Sequence, residues 1–257
     1  MITSASTRRT LTALSLCAVA LSSLSFAPQA SAKANNKELL GAATGLARDT
    51  NSNAMKDGKP LIDAWLKASE ALPSYQFNYQ MTCFKPGGTV TSTGNLYFKK
   101  PRLMKLEQTG GPDKGSVAIL QADGKVKGHK GGALKFFNAT LSPDSSLLLS
   151  ANGWPMVKSD FTSLAEAVEG YIKEGDAPKM SEAPVTVPGH PEKLNIFELY
   201  KGGPNGTLYK KALFEPVSNL PIEWWDYRDG KLWAHSTWSN FKAVSLSDDV
   251  FTMKGDK

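Results

Sequence analysis

Cysteine and histidine are scarce in this chain of 257 residues, which has two of one and three of the other. Cys17 falls in a leader segment described below, so Cys83 stands alone in the remainder. An internal disulfide is thereby excluded, and the core is stabilised by burial alone. His129, His190 and His235 lie far apart, with no spacing that reads as a metal site. No G-x-S-x-G elbow, H-E-x-x-H pair or phosphate loop is present. No catalytic residue, metal ligand or cofactor is therefore expected, and the chain reads as a non-enzyme. Runs of basic residues are also missing: the lysines are scattered among acids, which excludes a nucleic-acid footprint. No internal repeat of fixed period is found.

What is present begins with an export signal. Arg8 and Arg9 precede an apolar run from Leu11 to Phe26, and Ala30-Ser31-Ala32 forms an A-x-A cleavage site. The run is short and serine-rich for a membrane span. Leu16 before Cys17 argues against lipidation. Cleavage after Ala32 lowers the net charge from +6 to +4 and places the protein in the periplasm or outside the cell. Composition is that of an ordinary globular chain, 41% hydrophobic and 21% charged.

Residues 33–59 read as a flexible or weakly helical segment, and 60–257 as one domain. Pro60 suits the first turn of a helix, and Leu61, Ile62, Trp65, Leu66 and Leu72 recur at helical spacing up to Pro73. From Tyr75 the period changes to two: Tyr75, Phe77, Tyr79, Met81 and Cys83 alternate with polar residues. Cys83 on that apolar face reads as a small buried hydrophobe. Further strands are expected over 89–100, 103–108, 116–121 and 125–129, the last two joined at Asp123-Gly124. Residues 130–158 read as irregular. A second helix follows from Phe161 to Ile172, capped by Ser159 or Asp160. The proline-rich stretch 175–191 reads as a loop. Strands resume over 194–200, 207–215, 220–228, 231–244 and 249–253, with turns at Asn205-Gly206 and Asp229-Gly230. Nine or ten strands in sequential hairpins, with helices packed on one side, make a mainly β, α+β fold around a strongly curved antiparallel sheet.

Trp224, Trp225, Trp233 and Trp238 crowd the last hairpin. Alternation puts Trp224 opposite to Trp225 and Tyr227, and Trp238 opposite to Trp233 and Phe241. Both faces carry apolar bulk, which fits a sheet covered by its own helices or one that also forms an apolar groove.

The segment Gly94-Asn95-Leu96-Tyr97-Phe98-Lys99-Lys100-Pro101-Arg102-Leu103-Met104-Lys105-Leu106-Glu107 follows the clean strand. Leu220-Pro221-Ile222-Glu223, Tyr227, Gly230-Lys231-Leu232 and Asp249-Val250-Phe251 close the chain. This ordered set resembles the LolA-like bacterial periplasmic lipoprotein carriers over 75–121 and 207–253, closer to secreted members of unassigned function than to the carrier itself. The resemblance implies an open, incomplete antiparallel β-barrel with helices as a lid. Its concave interior would hold acyl chains, of a lipid or an acylated lipoprotein, with peripheral membrane contact and without nucleic acid. Phe77, Tyr79, Phe98, Leu106, Phe214, Trp224 and Trp238 are expected to line that cavity, and Arg102 is the candidate for an arginine that holds the lid closed. The alternative is an envelope interaction module that binds glycan, peptidoglycan or a protein partner through exposed tryptophans. A sensory domain for mislocalised lipoproteins is a third reading.

Overall fold

The computed structural model describes residues 54–253, so the leader and the segment up to residue 53 lie outside the described residues. Thirteen strands form one sheet. They are β1 Met55–Asp57, β2 Ser74–Lys85, β3 Gly88–Lys99, β4 Leu103–Gly110, β5 Val117–Leu120, β6 Val126–His129 and β7 Ala139–Leu141. After them come β8 Ala177–Ser181, β9 Val185–Thr186, β10 Lys193–Lys201, β11 Thr207–Phe214, β12 Pro221–Arg228 and β13 Lys231–Ala243. Every pairing is antiparallel. The spatial order is β1-β8-β10-β11-β12-β13-β2-β3-β4-β5-β6-β7, with β9 beside β10. Strands β1 and β7 end the sheet without meeting, so the curved sheet is an incomplete barrel.

Two helices cover one face of it. Helix α1, Lys59–Ala71, has Pro60 in its first turn and buries Leu61, Ile62, Trp65 and Ser69. That three-and-four spacing aims one stripe at the sheet. Helix α2, Phe161–Lys173, is capped by Asp160, whose side chain accepts from Ser163 N at 2.9 Å. A cap of this kind contributes about 1 kcal/mol. Phe161, Ala165 and Val168 form its buried stripe. A smaller apolar cluster, Ile119, Leu246, Phe251 and Met253, fixes the closing segment to the sheet. There Ser74 Oγ donates to Val244 O at 2.5 Å, and Gln121 Nε2 to Phe251 O at 3.2 Å.

The hairpin at Asp229-Gly230 has φ of 49° and 71°, the left-handed pair that a tight two-residue turn requires. Five expectations are corrected. Met55–Asp57, within the segment read as flexible or weakly helical, is strand β1, because the backbone of β8 pairs with it. The proline-rich stretch holds two strands, β8 and β9, because β1 and β10 supply backbone partners that override its composition. The irregular stretch 130–158 contributes β7, which pairs with β6. Residues 248–251 form a 3-10 turn, not a strand, where Asp248 and Asp249 open the turn. Phe241 shares a face with Trp238, because a bulge between Ser239 and Lys242 shifts the alternation.

Candidate functional site

The concave face is built by register. Opposite Phe77 on β2 stands Leu96 on β3, and opposite that stands Leu106 on β4. One rung along, Tyr75, Phe98 and Met104 make the same row. On the other side Tyr79 faces Trp238 of β13, and Trp224 of β12 faces Ala212 of β11. A period of two keeps each of these side chains on one side of the sheet. All seven residues expected to line a cavity enter one apolar cluster: Phe77, Phe98 and Phe214 buried within it, Tyr79, Leu106, Trp224 and Trp238 packed against it.

The helices fill the space over that face. The Trp65 indole of α1 meets the Phe214 ring edge-on at 5.3 Å and the Trp224 ring at 6.0 Å. Phe161 of α2 stacks on Tyr75 at 5.2 Å and on Phe77 at 5.1 Å, and touches Trp238 edge-on at 6.1 Å. The Tyr75 hydroxyl accepts from Phe161 N at 2.9 Å, which ties the start of α2 to the sheet. Burial raises the Tyr75 phenol, with the Asp160 charge beside it acting in the same direction.

Two polar atoms in this apolar layer have no hydrogen-bond partner among the described residues: Trp65 Nε1 and Tyr79 OH. A buried donor left so costs about 1–3 kcal/mol. Beside the first turn of α1 an open groove of about 410 Å³ is lined by Pro60, Leu61, Ala64 and Met180 and by the polar Lys56, Asp57, Asn195 and Asn219.

A charged rim bounds the layer near the end of α2. Lys210 Nζ pairs with Asp226 Oδ1 at 2.7 Å and lies 5.4–5.8 Å from the ring centres of Tyr171, Tyr209 and Trp224. Trp224 Nε1 donates to the same Asp226 oxygen at 3.2 Å. The Tyr209 hydroxyl donates to Asp176 Oδ2 at 2.5 Å. Burial, then this bond, raises the Tyr209 phenol. Arg102 is exposed, and its Nη2 donates to Val157 O at 3.4 Å, on the turn that leads into α2.

The opposite face shows what spacing along the chain misses. His190 and His235 converge on Glu223, with Nε2–Oε2 of 2.8 Å and Nε2–Oε1 of 2.6 Å. Trp225 stacks on the His235 ring at 5.0 Å. Glu223 and His235 sit on neighbouring strands of the last hairpin, a juxtaposition that alternation could have suggested; His190 comes from a loop and carried no such signal. Among the described residues no group of three His, Cys, Asp or Glu side chains is placed to hold a metal ion. Cys83 is fully buried, and burial pushes its thiol up to about 11.

The arrangement defines an open antiparallel half-barrel whose concave face is apolar and covered by two helices. Solved structures similar to it include a LolA superfamily protein from Nitrosomonas europaea, with 12% identity, a TM-score of 0.38 and coverage of 77% of this chain and 99% of that one. A DUF1329 family protein from Desulfovibrio piger is similar at 11% identity and a TM-score of 0.41, over 79% of this chain and all of that one. MucB is similar at 10% identity and a TM-score of 0.49, over 77% of this chain and 63% of that one. No protein-family model and no curated protein matches the chain.

Proposed function

We propose that this chain is a periplasmic, non-enzymatic binding protein for the acyl chains of a lipid or an acylated lipoprotein. The observation that carries the reading is the Trp65 plug. An indole fully buried between Phe214 and Trp224, its N–H without a partner among the described residues, sits in the apolar layer over the sheet. An acyl chain that displaces Trp65 and Phe161 keeps the apolar contacts of the layer and gains roughly 0.8 kcal/mol per buried CH₂. It also releases the indole N–H to water or to an ester carbonyl, which removes a cost the closed form carries. Helices α1 and α2 are the lid in this reading. The 410 Å³ groove beside α1 is the entrance, and Arg102 is a latch on the turn before α2.

The test is titration of the protein with a fluorescent long-chain fatty acid, with native mass spectrometry of protein purified gently from the periplasm. Saturable binding, or a lipid or acyl-peptide adduct, supports the reading. A bare protein that takes up no probe refutes it. An interaction module working through exposed tryptophans has less support, since all six tryptophans are buried or only partly exposed.

A further inference from the structure

Two adjacent phenylalanines are the most exposed aromatic side chains among the described residues. Phe136 is 79% and Phe137 71% exposed, and Leu134 beside them is 43% exposed. They stand on the connection between β6 and β7, where residues 132–140 are all exposed. Successive turns hold this connection, with Lys135 N donating to Gly132 O at 3.3 Å and Phe137 N to Leu134 O at 3.0 Å. Its base is pinned: Gly131 N donates to Ser116 Oγ at 3.0 Å, and a Cβ at Gly131 would fall 1.9 Å from Lys114 O. The phenylalanines are thus presented by a hydrogen-bonded turn on a fixed base.

Charge accompanies them. Lys135 Nζ sits 5.0 Å above the Phe136 ring, and Lys130 and Lys114 are exposed at the base, with Asp113 as the acid nearby in sequence. From 125 to 158 the chain has five lysines and one acid, Asp144. Aromatic rings at a tip with cations beside them match the two layers of an anionic bilayer surface. There rings enter the headgroup–acyl boundary and ammonium groups face phosphates.

We infer that the turn 132–137 docks the protein on an anionic bilayer, with Phe136 and Phe137 entering the interface and Lys130 and Lys135 facing lipid phosphates. This surface does not depend on what the concave face holds. The test is co-sedimentation of the protein, expressed with its own leader, with vesicles of phosphatidylcholine containing about 30% phosphatidylglycerol, and with pure phosphatidylcholine. The protein is expected to pellet with the anionic vesicles and to be released by salt. Replacing Phe136→Ser and Phe137→Ser together should lower partitioning by about tenfold to a hundredfold. Lys130→Gln and Lys135→Gln should each lower it about fivefold. The melting temperature should hold in every variant, because all four side chains are exposed. A wild type that stays in the supernatant overturns the inference, as does a double phenylalanine variant that pellets like wild type. A dimer seen by light scattering and abolished by the same variant would identify a second copy as the occupant, and also overturns it.

Discussion

Replacing Trp65→Ala separates a lid side chain from a core side chain. The wild-type indole is fully buried and packs on Phe214 and Trp224. Truncating a buried tryptophan costs about 3–5 kcal/mol. Here the indole N–H has no partner among the described residues, so its removal returns about 1–3 kcal/mol. The net loss is about 2 kcal/mol, which for a domain of this size lowers the melting temperature by roughly 4–8 °C. The hole left is on the order of 150 Å³, apolar and able to stay dry, a size that accepts small apolar ligands in other proteins. On the proposed reading an acyl chain must compete with the indole in the wild type and meets no such competitor in the variant. The variant should therefore bind a fluorescent fatty acid about tenfold more tightly, and probe at about a hundred times its Kd should return about 2.7 kcal/mol of stability. Thermal melts with and without probe, beside a fluorescence titration, read both effects. A variant that melts lower, binds no better and is not rescued by probe would make Trp65 ordinary core and refute the lid.

Three further outcomes follow from the same geometry. Trp224→Ala and Trp238→Ala, both only partly buried, should weaken probe binding more than they lower the melting temperature; a stability collapse with normal binding by the remaining folded protein would make them core residues. Raising the Cys83 thiol from 9.0 to about 11 leaves about a hundredfold less thiolate near pH 8, so a thiol reagent should label the native protein at least that much more slowly than the denatured one; rapid native labelling would contradict the burial. The Glu107 carboxyl is held below its usual value: burial alone would raise it, and the hydrogen bond and charge of Lys105, with hydrogen bonds from Asn95 and Tyr97, together outweigh burial. A lowered folded value stabilises the protein above the ordinary carboxyl value of 4.5 and is lost as pH falls through the folded value, so Glu107→Gln should flatten the fall in melting temperature between about pH 5 and pH 3; an unchanged acid limb would refute this pairing.

Much of the fold was legible along the chain where one periodicity dominates. The alternation from Tyr75 to Cys83 reports a strand with a buried and a wet face, and Pro60 with the Leu61, Ile62 and Trp65 stripe reports α1, because both patterns depend only on local side-chain direction. The strands hidden in the proline-rich stretch were not legible. β8 exists because β1 and β10 flank it, and partners so distant in sequence leave no local trace. Phe241 was read onto the wrong face for a related reason: a bulge inserts residues into the count and reverses every later parity.

The candidate site divides in the same way. Sequence by itself determined that the chain has an antiparallel sheet with apolar positions on separate strands, two amphipathic helices and no local catalytic motif, since each is a property of neighbours along the chain. Tertiary structure alone decided that Phe77, Phe98, Phe214, Trp224 and Trp238 share one layer, and that Trp65 and Phe161 occupy the space above it. It alone brought His190, from a distant loop, to the Glu223–His235 pair and left Phe136 and Phe137 exposed. The physical reason is that burial and pairing are set by strand order and register across the sheet, and those distances are unrelated to separation in sequence.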